Sequence, residues 1–219
     1  MYKVDLHTHS HASPDGGITP EQYAHALSTG QLDLIAITDH NTIDAALQVQ
    51  QQLGDKIIVG EEIMTVDGEI IGLYLTEPIE PGLSAQETCR RIKAQRGIVY
   101  IPHPFETMRK GLHPAKLEEI RSLIDIIEVC NGRAFLQNRG SNAVVWSKLN
   151  HIPGAASSDA HGKRGLGKTY TRCKELPTKS SLVQQVQAAT LMTDRPSMRA
   201  LLYPKYHRTR KKLRRKRGQ

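Results

Sequence analysis

His7 and His9 stand two residues apart in the run Asp5-Leu6-His7-Thr8-His9, where Tyr2, Val4 and Leu6 suit a short strand. Alternate side chains of a strand share a face, so Asp5, His7 and His9 are expected to point the same way. Two imidazoles roughly 6.5–7 Å apart along a strand can grip one metal ion, and imidazole suits zinc, iron, nickel and copper. A polar edge strand would carry the same residues. The two readings separate on whether other segments bring further ligands to the same place.

Five other segments have that form. Apolar runs at residues 32–37, 57–59, 98–101, 124–129 and 153–157 have the length and composition of buried strands. They stop at Asp39/His40, Glu61/Glu62, His103, Asn131 and Asp159/His161 respectively. Helices are expected between them. Thr19-Pro20-Glu21-Gln22 and Ser84-Ala85-Gln86-Glu87 read as capping boxes, and helical stretches are expected at 41–53, 114–122, 137–149 and 178–191. Asp67-Gly68 is a hairpin turn signal, so residues 69–75 should fold back as an extra strand. Alternating strands and helices argue for an α/β fold with a parallel sheet, whose sites lie at the C-terminal strand ends. Six strand ends then present metal-competent groups on one side. His11 is borderline, in the first loop; His25, His113, His151 and His207 read as surface or packing residues.

A chain of 219 residues fits one domain with a tail. No apolar run approaches the roughly 18 residues of a membrane helix, so no membrane partner is expected. Cys89, Cys130 and Cys173 are widely spaced and read as reduced thiols of a cytoplasmic protein. The net charge of +8 is local: residues 205–219 hold nine Lys/Arg and no acid, which leaves residues 1–204 close to neutral. The expected organisation is a catalytic domain at 1–204 and a basic, disordered tail at 205–219.

The motifs Asp5-Leu6-His7-Thr8-His9-Ser10, Ser13-Pro14-Asp15-Gly16, Ile37-Thr38-Asp39-His40-Asn41, Gly60-Glu61-Glu62, Pro102-His103-Pro104, Glu128-Val129-Cys130-Asn131 and Ser158-Asp159-Ala160-His161 occur in this order. As a set they resemble the polymerase and histidinol phosphatase (PHP) family of metal-dependent phosphoesterases. The resemblance implies a distorted (β/α)7 TIM-like barrel with two or three divalent ions at the C-terminal strand ends. Carried over by motif, His7, His9, Glu62 and Asp159 hold one ion; Glu62 bridges to a second with His103; Asp15, His40 and His161 take the third. Many members place a histidine after the bridging glutamate, where this chain reads Glu69-Ile70-Ile71-Gly72-Leu73. Glu69 or Asn131 is expected to compensate, Glu61 to support Glu62, and Asp5 to orient an imidazole from behind.

Such a ligand set suits Mn²⁺, Zn²⁺ or Fe²⁺ better than Mg²⁺. The expected reaction is in-line hydrolysis of a phosphate ester by metal-activated hydroxide. Asp39 and Arg133 are the catalytic candidates. Arg133 would also grip the substrate phosphate, with Lys163 and Arg164 as weaker candidates of the same kind. Phosphorylated small molecules or nucleotides are the expected substrates, and a nuclease is the alternative. Two rivals remain. Residues 162–169 fit G-x-x-x-x-G-K-[ST], but a strand-like run follows Lys168 where a P-loop needs a helix. The tail alone could bind nucleic acid nonspecifically; deleting residues 205–219 would then abolish binding, whereas under the phosphoesterase reading small-substrate hydrolysis survives the deletion.

Overall fold

A computed structural model describes residues 1–134, 140–194 and 196–216, and within Tyr203–Lys216 it describes side chains as far as residue 214. Nine strands form one sheet: β1 (Tyr2–Asp5), β2 (Leu34–His40), β3 (Ile57–Met64), β4 (Glu69–Leu73), β5 (Ile98–Ile101), β6 (Ile126–Asn131), β7 (Gly154–Ser157), β8 (Thr169–Cys173) and β9 (Thr190–Thr193). Their order is β7-β6-β5-β4-β3-β2-β1-β8-β9. β1, β2 and β3 are parallel, as are β5, β6 and β7, while β4 runs antiparallel between the two groups. The hairpin at Asp67-Gly68 makes that reversal.

The first seven strands curl into a distorted, nearly closed TIM-like barrel. At the C-terminal end of β1 the seam is a parallel bridge from Thr8 to Ala160, with the His9 N–H donating to the Ala160 carbonyl at 2.9 Å. At the other end β8 wedges in antiparallel to β1. Thr171 of β8 then spans to β7: its Oγ1 accepts from the Ala156 N–H and donates to the Ala156 carbonyl, both at 2.9 Å.

Side-chain alternation sorts the strands into two cores. Leu34 and Ala36, Ile58, Ile71 and Leu73, Ile98 and Tyr100, Ile126 and Ala155 fill the barrel interior. Ile35 and Ile37, Val59, Ile70, Val99 and Ile127 face outward into the helix layer. That layer contains α1 (Pro20–Ser28), α2 (Asp44–Leu53), α3 (Ala85–Ala94), α4 (Pro114–Ile120) and α5 (Gly140–Asn150). The expected capping box starts α1, where the Thr19 N–H donates to Gln22 Oε1 at 3.3 Å. At α3 only the N-cap half forms, Ser84 Oγ accepting from the Glu87 N–H at 3.2 Å while the Glu87 carboxylate pairs with Arg91. The expected start of α5 at Gln137 lies outside the described residues.

Three expectations change. β2 and β3 continue through Asp39-His40 and Glu61-Glu62, because their ladder extends to a His40–Glu62 pair and β4 pairs with β3 out to Met64. The helix expected at 178–191 shortens to α6 (Leu182–Gln187), which buries Leu182 and Val186; Thr190–Thr193 instead pairs with β8. α7 (Met198–Leu201) precedes the tail, and the tail expected to be disordered from residue 205 is helical as far as residue 216, within α8 (Tyr203–Lys216). Local helix propensity does not explain α8, whose cations repel one another. Its contacts with the rest of the fold do, as described below.

Among the described residues no helix is long and apolar enough to cross a membrane.

Candidate metal centre

The barrel interior changes character along its axis. Below are aliphatic residues; above, continuing the same inward-facing rows, are His40 on β2, Glu62 on β3, Glu69 on β4 and Glu128 on β6. His7, His9, His103, Asp159 and His161 follow β1, β5 and β7. Apart from His40, all of these are buried. The backbone bends to place them. His103 (φ 28°) and Asp159 (φ 50°) occupy the left-handed region, which non-glycine residues adopt only when the surroundings hold them there.

Glu62 is at the middle. Its Oε1 lies 3.0 Å from His103 Nε2 and 3.4 Å from His7 Nε2; its Oε2 lies 3.1 Å from His40 Nδ1 and 3.3 Å from His9 Nε2. Asp159 Oδ1 is 3.5 Å from His9 Nε2 and 3.3 Å from His161 Nδ1. Asp15, on the first loop, puts Oδ1 3.6 Å from His40 Nε2 and 3.5 Å from His161 Nε2. The His7 and His9 Nε2 atoms face each other at 3.1 Å. All eight ligand positions implied by the motifs therefore meet at one place.

Glu69 joins them. Its carboxylate is 3.8 Å from His40 Nδ1 and 3.6 Å from His103 Nε2, where the absent histidine was expected to be replaced. Ligand atoms within 4.8 Å of one another form four overlapping groups: His7/His9/Asp159, His7/Glu62/His103, His40/Glu62/Glu69 and His9/His40/His161.

The electrostatics fit cations. Burial pushes Glu69 up to about 9, helped by the charges of Glu62 and Asp159. Burial would lower His9, but hydrogen bonds to Asp159 and Glu62 outweigh it and raise the imidazole to about 9. His7 likewise stays well above its usual value despite burial, because Asp159, Glu62 and Glu128 surround it. Without metal, protons therefore balance the carboxylate charge. Asp15 Oδ1 is buried without a hydrogen-bond partner among the described residues, as expected of an atom aimed at an ion.

Several supporting roles differ from expectation. The imidazole of His7 is oriented by Glu128, whose Oε1 lies 3.2 Å from Nδ1. Tyr100 Oη donates to the same Oε1 at 2.9 Å, and the His103 N–H donates to Oε2 at 2.7 Å. Glu128 lies within a recognised motif but was not singled out as a site residue. Its inward parity two residues after Ile126 was the available signal. Asp5, expected behind an imidazole, instead accepts the backbone N–H groups of Ser158 (3.0 Å) and His7 (3.4 Å), joining β1 to the end of β7.

Glu61 faces outward and accepts from the Ile79 N–H at 2.8 Å; it does not support Glu62. Asp39 also faces outward, accepting from Ser10 N (2.7 Å) and Ser10 Oγ (2.5 Å), so its carboxylate shapes the loop after His9 and is not free for catalysis. Asn131 stands behind the cluster: its Nδ2 donates to Glu128 Oε2 at 2.8 Å, and its Oδ1 accepts from Arg109 Nη1 at 2.5 Å.

The cluster floors a pocket of about 630 Å³. Arg133 reaches it, with Nη1 3.3 Å from Asp159. Arg109, missed in the sequence because it lies in the loop after β5, binds Asp159 Oδ2 at 2.9 Å. Lys163 and Arg164 do not line this pocket and face other grooves. The G-x-x-x-x-G-K-T run contains no P-loop, since β8 begins at Thr169 and Lys168 Nζ pairs with Asp194 at 2.9 Å.

The remaining wall is α8. Arg208 Nη2 donates to Asp15 Oδ2 at 2.7 Å. Lys211 Nζ is held by three carbonyls of the Asp15 loop, those of His11 (2.6 Å), Gly16 (3.0 Å) and Ser13. Any side chain at Gly17 or Gly162 would overlap the rings of His207 or Tyr203, so these glycines let the helix seat closely.

Comparison with known proteins agrees with this arrangement. The family model described as PHP domain matches residues 5–139, and that described as PHP-associated matches residues 141–191. An uncharacterised protein of Methanocaldococcus jannaschii is 37% identical over 156 residues, spanning 65% of this chain and 91% of its own length. A 5′-3′ exoribonuclease of Escherichia coli is 32% identical over 130 residues, 54% of this chain and 42% of that enzyme. Among solved structures, a two-domain protein of Bacteroides vulgatus described as containing a predicted PHP-like metal-dependent phosphoesterase superposes with a TM-score of 0.70 at 19% identity. That match covers 94% of this chain and 69% of the other.

Proposed function

Because the chain belongs to the PHP domain family, we propose that it hydrolyses phosphate esters at the His/Asp/Glu cluster, using two or three divalent cations. The observation that carries this reading is one pocket with imidazole and carboxylate ligands on its floor and Arg109, Lys110, Arg133, Lys205 and Arg208 around them. His7, His9, Glu62 and Asp159 would hold one ion. Glu62, His103 and Glu69 would hold a second, and Asp15, His40 and His161 a third. The mixed nitrogen and oxygen donors favour Mn²⁺, Zn²⁺ or Fe²⁺ over Mg²⁺. When bound, such ions acidify water and neutralise phosphoryl charge.

The chain's own groups do the rest. Arg133 is anchored on Asp159, and its guanidinium plane matches a pair of phosphate oxygens. Arg109, whose fork is bound by Glu106, Asn131 and Asp159, holds Asp159 in place. Glu128 and Asn131 keep His7 and Asp159 in place from behind. The pocket volume suits a nucleotide-sized molecule. Phosphomonoesters of small molecules or nucleotides are the first substrates to examine. The cationic helix beside the pocket favours a second reading, cleavage of nucleic-acid ends, and the similarity to an exoribonuclease supports it.

The test is a screen of p-nitrophenyl phosphate, nucleotides and short oligonucleotides after chelation and reloading with each metal, alongside elemental analysis. Turnover restored by Mn²⁺, Zn²⁺ or Fe²⁺ is expected. No turnover with any metal, or full activity in His7→Ala/His9→Ala protein, would sink the proposal.

A further inference from the structure

Helix α8 has two working stripes. Pro204, Lys205, Arg208 and Thr209 line the metal pocket, while Tyr203, Tyr206, His207 and Arg210 line a second groove of about 510 Å³. Spacings of three and four residues put each set on one helical face. The far side of the groove is built by Lys163 and Arg164, from the loop after β7, and by Arg199 of α7.

The cations of the two stripes differ in one respect. Around the metal pocket, Arg109, Arg133 and Arg208 are paired with carboxylates. In the groove, Lys163, Arg164, Arg199 and Arg210 have no hydrogen bond or ion pair among the described residues. Among the described residues no Asp or Glu lines it. Four uncompensated positive charges facing one channel form an electrostatic trough for a polyanion. The groove also presents rings: Tyr203 stacks on His207 (centroids 5.3 Å apart, 12° between planes), and Tyr206 meets His207 edge-on at 5.2 Å. The Tyr206 residue is 55% exposed, which leaves surface for a further aromatic plane.

We propose that this groove binds single-stranded nucleic acid, its phosphates on the four cations and a base against Tyr206. The proposal rests on, and deepens, the nuclease reading above. Alternating phosphates and flat bases match cations interleaved with rings. A lipid bilayer supplies anions but cannot enter a concave channel walled by three chain segments. The groove is held in shape by the same seating that fixes α8: the Lys211 cage and the close approach of His207 and Tyr203 to Gly17 and Gly162. It lies across one helix from the metal pocket, about 10 Å, so a strand held there has its end within reach of the cluster.

The experiment titrates metal-loaded, full-length protein with a fluorescent single-stranded oligonucleotide carrying cleavage-resistant phosphorothioate linkages, by anisotropy over a range of KCl. Arg199→Gln/Arg210→Gln should weaken binding by about tenfold or more and lower the salt slope by about 1.4, the value for two lost phosphate contacts on a single strand. Tyr206→Ala should weaken binding with the slope unchanged. Lys212→Gln, on the exposed side and outside both pockets, should bind as the parent does. Parent-like binding by the groove variants would overturn the proposal, as would equal weakening by Lys212→Gln. So would tighter binding of phosphatidylserine vesicles with the same dependence on Arg199 and Arg210. Turnover of p-nitrophenyl phosphate, measured in parallel, tests the phosphoesterase reading separately, because binding of the resistant strand requires no hydrolysis.

Discussion

Glu61 and Glu62 are adjacent on β3 and end in opposite surroundings. Glu62 points into the barrel, where burial pushes its carboxyl up but His7 and His40 outweigh that and hold it well below the usual range. Glu61 points into the helix layer, where burial dominates and raises it to about 7 despite the hydrogen bond from Ile79. On β2 the same alternation turns His40 into the cluster and Asp39 outward to Ser10. Parity along a strand, more than residue type, decides which acid serves the site and which serves the scaffold.

The largest effect that tests this contrast is removal of the central carboxylate. Glu62→Gln should lose bound metal and lower activity by more than about 100-fold, beyond the loss seen when a group behind a ligand is removed. Glu61→Gln should keep metal content and activity. Its signature is thermal. A carboxyl raised from 4.5 to about 7 contributes full stability below its unfolded value and loses it as pH rises through 7. Glutamine has no proton to lose, so the melting temperature of the variant should fall less than the parent's between about pH 5 and pH 8. If Glu61→Gln instead releases metal, parity is the wrong rule here.

Glu128 comes next, as an inward acid that touches no proposed ion. Glu128→Gln should lower metal affinity by about 10–100-fold while the ligand set stays intact, measured by competition with a chromogenic chelator. Proton competition follows. His9 keeps its proton up to about 9 without metal, so cations must displace it. Metal affinity should therefore rise with pH, by up to about tenfold per unit for one displaced proton, and level off near pH 9. Affinity independent of pH across that range would mean that His9 is not a ligand.

Much of this was legible in the sequence because ligands at strand ends are read by type and position together. His7, His9, His40, His103, Asp159 and His161 sit at or just past strand ends, Glu62 sits two residues before the end of β3, and the hairpin at Asp67-Gly68 correctly placed β4. Glu69 was legible as one of two replacements for the absent histidine, and the β3–β4 register, which sets Met64 opposite it, decides for it over Asn131. What was not legible depended on distant contacts. Arg109 lies in a loop that no periodicity describes. The tail reads as disordered by composition, yet Lys211 exchanges hydration for three carbonyls that lie about 200 residues earlier in the chain. That seating reverses one expectation. Deletion of residues 205–219 should now reduce hydrolysis even of small substrates, and Lys211→Met alone should do so several-fold, with faster amide exchange in residues 10–17 as the structural readout. Parent-level turnover in the deletion would restore α8 to the status of an appendage.

The smallest expected effect concerns Asp5, which shares the His7-x-His9 segment but not its function. Its Oδ1 accepts one backbone N–H across the barrel seam, from Ser158, and one from His7 in its own segment. Oδ2 is buried without a partner among the described residues, and burial raises the carboxyl to about 7. Asparagine keeps the accepting oxygen and removes a charge that this position disfavours. Asp5→Asn should therefore leave metal affinity within about twofold and change stability by no more than about 1 kcal/mol. Asp5→Ala leaves both N–H groups unmatched and should cost about 1–3 kcal/mol for each group that water cannot reach. A seam residue shows its loss in denaturation, whereas a residue orienting an imidazole shows it in metal affinity. A tenfold fall in affinity for Asp5→Asn at unchanged stability would assign Asp5 to the imidazole and place Glu128 and Asp5 on the same footing.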